Sequence, residues 1–250
     1  MHEASCINIE TGATVTLRGF TLQNGAGYAG GILNAGTLNV QNSIITNNTA
    51  ENYGGGIYNE GILNLQNSTV KNNIAESFAG GICNWHDTVT LTNSTITNNT
   101  VPYGGVFGGD LGGGVVNIGT LTIVGTNITG NTALDGGGIY NEGILNVQNS
   151  IIYNNTATNN RGGILNGNSY YYNHGIVTIK NSSINNNKAS NNGGGIFIDL
   201  NFDPGSVTII NSTLNKNKAT NNGGGIYNSN KVTLINSKIT ANIAISGGGI

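Results

Sequence analysis

The dipeptide Gly-Gly followed by Ile or Val returns along the whole chain, with its aliphatic residue at Ile32, Ile57, Ile82, Val115, Ile139, Ile164, Ile196, Ile226 and Ile250. A fixed period of this kind constrains the fold more than any other feature, because each unit must bury its apolar face against its own copies. The unit is 24–25 residues long, stretched to 30–33 at three places. Nine units begin near Thr14, Thr37, Ile62, Thr88, Thr120, Ile144, Ile176, Ser206 and Lys231.

Within each unit, three stretches alternate with period two, the signature of strands with one buried face. The first is aliphatic-x-aliphatic, as in Leu38/Val40, Val89/Leu91 and Val177/Ile179; the second pairs a small hydroxyl with an aliphatic, as in Ser43/Ile45 and Ser150/Ile152; the third is the glycine strand. No stripe of helical period is present. The pattern predicts an all-β chain forming a single-stranded right-handed parallel β-helix, about nine coils of 24–25 residues with three strands per coil. Residues 1–13 are expected as a lead-in and 14–250 as the solenoid, cut short in its last coil. At a strand spacing of about 4.8 Å the stack is roughly 40 Å long. Left-handed β-helices repeat in hexapeptides, and leucine-rich repeats follow their Leu-x-Leu with a helical or 3₁₀ stretch, so neither fits.

Composition supports the same reading. There are 41 Gly and 46 Asn among 250 residues, only 8% charged residues, and a formal net charge of -2. Like charges repeated at strand spacing repel, so a stacked coil avoids them. Two Asn columns run through the repeat, one at Asn48, Asn73, Asn99, Asn131, Asn155, Asn187, Asn217 and Asn242, the other at Asn34, Asn59, Asn84, Asn117, Asn141, Asn166 and Asn228, interrupted at Ile198. Their amides are expected to form ladders along the axis, and Asn also suits the left-handed backbone of a tight corner. An Ala column (Ala50, Ala75, Ala133, Ala157, Ala189, Ala219, Ala244) marks a place with no room for a larger side chain.

These motifs resemble the polymorphic outer-membrane-protein and adhesin-like β-helix repeat proteins of bacteria and methanogenic archaea. The likeness is carried by Gly54–Gly61, Gly136–Gly143 and Gly223–Asn228, by Thr88–Asn99, and by an entry-coil stretch from Gly12 to Gly25, and it extends over 12–250. The Phe-x-x-Asn motif of the chlamydial members is absent, Ile or Val standing in the Phe column. The resemblance implies an extracellular or cell-surface β-helix for adhesion, display or a stalk.

Enzymatic, metal-binding and nucleic-acid-binding functions each demand particular residues. Polysaccharide-cleaving β-helices, the alternative function, need paired carboxylates or an acid cluster with a basic residue. Here Arg161 has no acid at the matching point of the next coil, and Asp135 stands alone, so no catalytic constellation emerges. Cys6 and Cys83 lie outside any Cys-x-x-Cys motif and read as free thiols; no metal site and no cofactor are called for. Nine basic residues do not suit nucleic acid. No run of apolar residues is long enough for a transmembrane helix, and Met1–Ile9 has no signal-peptide core. The abrupt ends are expected to adjoin flanking coils or caps missing from this chain.

The departures from the repeat are the leads to a binding function. Consecutive aromatics with acids in the expanded corners of units six and seven (Tyr170, Tyr171, Tyr172, Asp199, Phe202 and Asp203), with Trp85 and His86 in unit three, are the candidate contacts for a surface glycan or protein ligand. Counting back from the following strand puts His86 opposite Glu60 and His174 opposite Glu142, predicting two surface pairs. The residues between the aliphatic and Asn of each glycine strand (Leu33, Tyr58, Cys83, Val116, Tyr140, Leu165, Phe197, Tyr227) are expected as an exposed apolar row, open to lateral association or covered by neighbouring loops.

Overall fold

A computed structural model describes residues 5–102, 109–167, 175–198 and 206–250. Every named strand pairs in parallel with its copy one coil away, so the chain rises as a right-handed solenoid of three nine-stranded sheets. The glycine sheet starts with Ile7–Ile9 and Ile32–Asn34 and ends with Ile226–Asn228; the long-strand sheet runs from Thr14–Arg18 to Lys231–Ile235; the hydroxyl sheet runs from Thr21–Gln23 to Lys238–Thr240. Register is strict: Ile32 faces Ile57, Ile57 faces Ile82 and Ile82 faces Val115. A fourth, two-residue strand, which the sequence reading did not separate, carries the Ala column. Its copies form one sheet from Ala26–Gly27 to Ile74–Ala75 and another from Thr132–Ala133 to Lys218–Ala219.

The main core is the set of inward aliphatics from the three sheets, among them Ile57, Leu63, Leu65 and Val70 in one coil and Val115, Leu121, Ile123 and Ile128 in another, all essentially sealed from water. Each such side chain contributes about 1.5–3 kcal/mol of burial. The polar groups that must also enter the interior are satisfied along the axis. In the first Asn column, Asn131 Oδ1 accepts from both the backbone N–H and Nδ2 of Asn99, at 2.9 and 3.0 Å. Asn131 Nδ2 in turn donates to Asn155 Oδ1 and to the Ile96 carbonyl, both at 3.0 Å. The second column repeats the amide-to-amide bond from Asn34 to Asn166 and stops at Ile198, which joins the apolar core instead. A third ladder is made of hydroxyls: the backbone N–H of Ser150 donates to Ser182 Oγ, and that of Ser182 to Ser212 Oγ.

The left-handed corners are made by other residues than the ladder Asn. Positive φ falls on the residue just before each position of the first Asn column, such as Asn47, Asn72, Asn98 and Asn154, and on the one before each hydroxyl, such as Asn42, Asn67 and Asn93. Ladder and corner thus divide two tasks that the sequence reading gave to one Asn. The paired glycines have a steric cause. A Cβ on Gly113 would lie 2.5 Å from the Gly137 carbonyl oxygen, and one on Gly114 would lie 2.6 Å from that of Gly138 and 3.0 Å from Asn131 Nδ2. The ladder therefore needs bare backbone beside it.

The outward row of the glycine sheet is not an exposed stripe. Tyr58, Cys83, Val116, Tyr140, Leu165 and Phe197 are buried, with Leu33 and Tyr227 at its ends half-buried. They form a second apolar cluster with Phe78, Ala79, Leu111 and Ile118, residues of the corners flanking the glycine strands. Alternation correctly turned this row away from the main core, but the corners fold back across it.

Asp135 is likewise not alone. It pairs with Arg161 at 3.2 Å, because the acid lies in the preceding coil and not the following one. Its other oxygen accepts from the Asn160 backbone N–H at 2.8 Å. Arg161 also lies 4.5 Å over the ring of Phe197, which stacks on Tyr227.

Candidate functional site

The corner before the glycine strand places an aromatic residue at the same position of three consecutive coils, Tyr28, Tyr53 and Phe78, which recur at intervals of 25 residues. Tyr53 is the hub. Its ring stacks on Phe78 at 5.2 Å and on Tyr58 at 5.4 Å, meets Trp85 edge-on at 5.0 Å, and lies 5.4 Å from Tyr28. Tyr58 and Phe78 are buried beneath, whereas Tyr53 and Trp85 are half-buried and Tyr28 is 51% exposed. The result is a rigid aromatic platform on the flank of the first coils. Its rings touch one another, so it offers a surface for stacking and no cage between them.

Acceptors rim the platform. Tyr58 donates its hydroxyl to Glu60 Oε1 at 2.9 Å. Burial, followed by this hydrogen bond, pushes the Tyr58 phenol far above its ordinary range. Burial also raises Tyr53, and raises Tyr28 with help from the neighbouring Tyr53 and Glu60. All three phenols therefore stay neutral at physiological pH. Beside them an open groove of about 560 Å³ is lined by Thr11, Thr37, Glu60, Ile62, His86 and Asp87, with no Lys or Arg in its walls.

Of the residues singled out from the sequence, Trp85 and His86 lie at this site, their rings 6.1 Å apart. Tyr170, Tyr171, Tyr172, Asp199, Phe202, Asp203 and His174 lie outside the described residues. The predicted Glu60–His86 pair is corrected in register. Trp85 donates its backbone N–H to the Asn59 carbonyl as Glu60 does to Asn34, so Trp85 holds the Glu60 position and His86 is the extra residue of that corner. Glu60 and His86 share the groove without an ion pair. Glu142, just past the strand Ile139–Asn141, accepts from the Tyr140 hydroxyl; its expected partner His174 is among the residues not described. Tyr28, Tyr53 and Glu60 are candidate contacts that the sequence alone does not single out, although the 25-residue spacing of Tyr28, Tyr53 and Phe78 is visible in it.

Among the described residues, no three His, Cys, Asp or Glu side chains gather as metal ligands. No helix there is long and apolar enough to cross a membrane, which leaves strand-built spans unaddressed.

Fold and ladders together define a parallel β-solenoid repeat protein. Residues 42–60 and 211–229 match the model of the Chlamydia polymorphic membrane protein repeat, and with this fold the match is consistent with a polymorphic outer-membrane-like β-helix repeat protein. The missing Phe does not prevent the match. No curated protein and no solved structure matches the chain.

Proposed function

We propose that the chain is a rigid extracellular or outer-surface rod used for adhesion or display, and that its aromatic flank binds uncharged or amine-bearing sugar chains. The surface placement rests on likeness to the polymorphic membrane protein repeat. The observation that carries the binding reading is the Tyr28–Tyr53–Trp85 platform beside a groove with two carboxylates and no Lys or Arg. Stacked rings suit the apolar face of a pyranose, and Glu60, Asp87 and the Thr hydroxyls accept from sugar hydroxyls or an amine.

A glycan array with neutral, amino and acidic oligosaccharides tests this. Binding to the first two classes is expected, and Trp85→Ala or Tyr53→Ala should weaken it about tenfold, equivalent to ~1.4 kcal/mol. Absence of binding to neutral and amino glycans, or indifference of that binding to both substitutions, refutes the reading. The same incubations, assayed for new reducing ends or unsaturated products, test the enzymatic alternative, which draws on Glu60 and Asp87 sharing one groove. Tyr170, Tyr171, Tyr172, Asp199, Phe202 and Asp203 are a second proposed contact, tested by shortening both loops and repeating the array.

A further inference from the structure

Charge is distributed unevenly along the axis. Residues 1–142 contain two basic and nine acidic residues, whereas 143–250 contain seven basic and two acidic. The excess of lysine gathers around the last described strands of the hydroxyl sheet, Ser183–Asn185, Thr213–Asn215 and Lys238–Thr240. Lys188 and Lys218 follow the first two of these strands and stand directly opposite each other in the short-strand sheet. Lys216 occupies the corner before Lys218 in the left-handed conformation, where other coils use Asn, Gly or, in the last, Ala241. Lys238 opens the third strand, opposite Thr213, and Lys180 ends the long strand before the first. All five are exposed, and among the described residues none makes an ion pair.

Stacked like charges are what this architecture otherwise avoids. Among the described strand pairs, Lys188 with Lys218 is the only place where two charged residues are in register. Directly opposed like charges destabilise a parallel stack, so the coil gives up stability here for a row of cations. Between the lysines, the half-exposed Ser183, Asn185, Thr213 and Asn215 present hydroxyls and amides at each coil.

We infer that this strip binds an anionic polysaccharide lying along the solenoid axis. Coils follow one another at about 4.8 Å, close to the advance of a sugar chain per residue, so a polymer with regularly spaced carboxylates or sulfates meets a cation at successive coils. The hydroxyls and amides between the lysines match the sugar's own hydroxyls. One exposed ring adjoins the strip, Tyr153 in register with Asn185 one coil before it, and among the described residues no succession of rings runs between the lysines as stacking of successive bases in a single-stranded nucleic-acid groove requires. This site is separate from the aromatic platform in position and in ligand charge.

The test applies the full chain to immobilised polygalacturonate, immobilised heparin and neutral dextran. Retention on one or both polyanions at low salt and release at raised salt are expected, whereas any retention on dextran through the aromatic platform should be unmoved by salt and by the lysine substitutions; the two polyanions separate carboxylate from sulfate recognition. Lys188→Gln/Lys216→Gln/Lys218→Gln should lose affinity about tenfold or more and show a shallower salt dependence, as expected when cations that displace counterions are removed. Arg18→Gln/Lys71→Gln should stay within about twofold of the wild type, since these cations lie off the strip. The urea midpoint of the triple variant should not fall, because it relieves a repulsion, and this separates lost binding from lost folding. Absence of retention, or equal retention of the wild type and a folded triple variant, overturns the inference. Duplex DNA competing as well as the polysaccharides at equal charge overturns the assignment to a polysaccharide.

Discussion

Removing one amide from the middle of the first Asn ladder should destabilise the solenoid far more than removing one from its end. Asn131 is fully buried and its side chain takes part in four hydrogen bonds, accepting two from Asn99 and donating to Asn155 and Ile96. In Asn131→Ala the backbone N–H of Asn99 loses its acceptor in a dry interior, at about 1–3 kcal/mol, and the remaining bonds add about 1 kcal/mol each where no water replaces them. A loss of about 3–5 kcal/mol follows. Asn242 is only half-buried and lies at the last rung, so Asn242→Ala should lose about 1 kcal/mol.

Asn131→Asp sharpens the point, because it keeps the shape and the acceptor while turning the donor into a second acceptor facing two oxygens. Burial and those oxygens raise the carboxyl pKa in the folded state above its unfolded value of about 3.9. The sign follows directly: stability is best retained below the unfolded pKa, where the protonated acid can donate, and is lost as pH rises through the raised value. Urea unfolding followed by far-UV circular dichroism at several pH values, with amide exchange at Asn99, measures all of this. The reasoning is refuted if Asn131→Ala and Asn242→Ala differ by less than about 1 kcal/mol, or if Asn131→Asp matches the wild type at neutral pH.

Three further predictions rest on other parts of the structure. Gly114→Ala forces a Cβ to within 2.6 Å of the Gly138 oxygen, and an unfolding free energy in urea lowered by about 2–4 kcal/mol is expected, in the upper range for point substitutions. Arg161 has φ of 74° where other coils place Gly136 and Gly193; Arg161→Ala keeps that strain while losing Asp135 and Phe197, so Arg161→Gly should be the more stable by about 1 kcal/mol in the same assay. Burial pushes the Cys83 thiol well above its ordinary range, while Cys6 is exposed. Alkylation should therefore modify Cys6 and spare Cys83 in the folded chain. Stability should fall as pH rises above about 8.5, where only the unfolded thiol ionises, and Cys83→Ala should lessen that fall.

The architecture was legible because it is repeated in the residues themselves. The long strands start where the aliphatic pattern put them, at Thr14, Thr37, Ile62 and onward to Lys231. What could not be read was whatever depends on a neighbouring coil or a returning corner. Tyr140 and Cys83 alternate away from the main core, and their sequence is silent on the Phe78 and Leu111 corners that cover the same row. Asp135 looked solitary because its partner was sought one coil forward, when the pairing runs across the opposite step. The aromatic platform was only half found: Trp85 and His86 stood out as departures from the pattern, whereas Tyr28 and Tyr53 were hidden by being regular.

The axial ladders also govern how such a chain can change length. Each coil presents donors to one neighbour and matching acceptors to the other, so a duplicated coil fits between its parent copies with little adjustment of either. A partial duplication would shift every column and orphan the buried amides. Gene copying within this sequence is therefore channelled into whole turns, and reach can be lengthened or shortened in steps of about 4.8 Å while the flanking binding surfaces keep their own geometry.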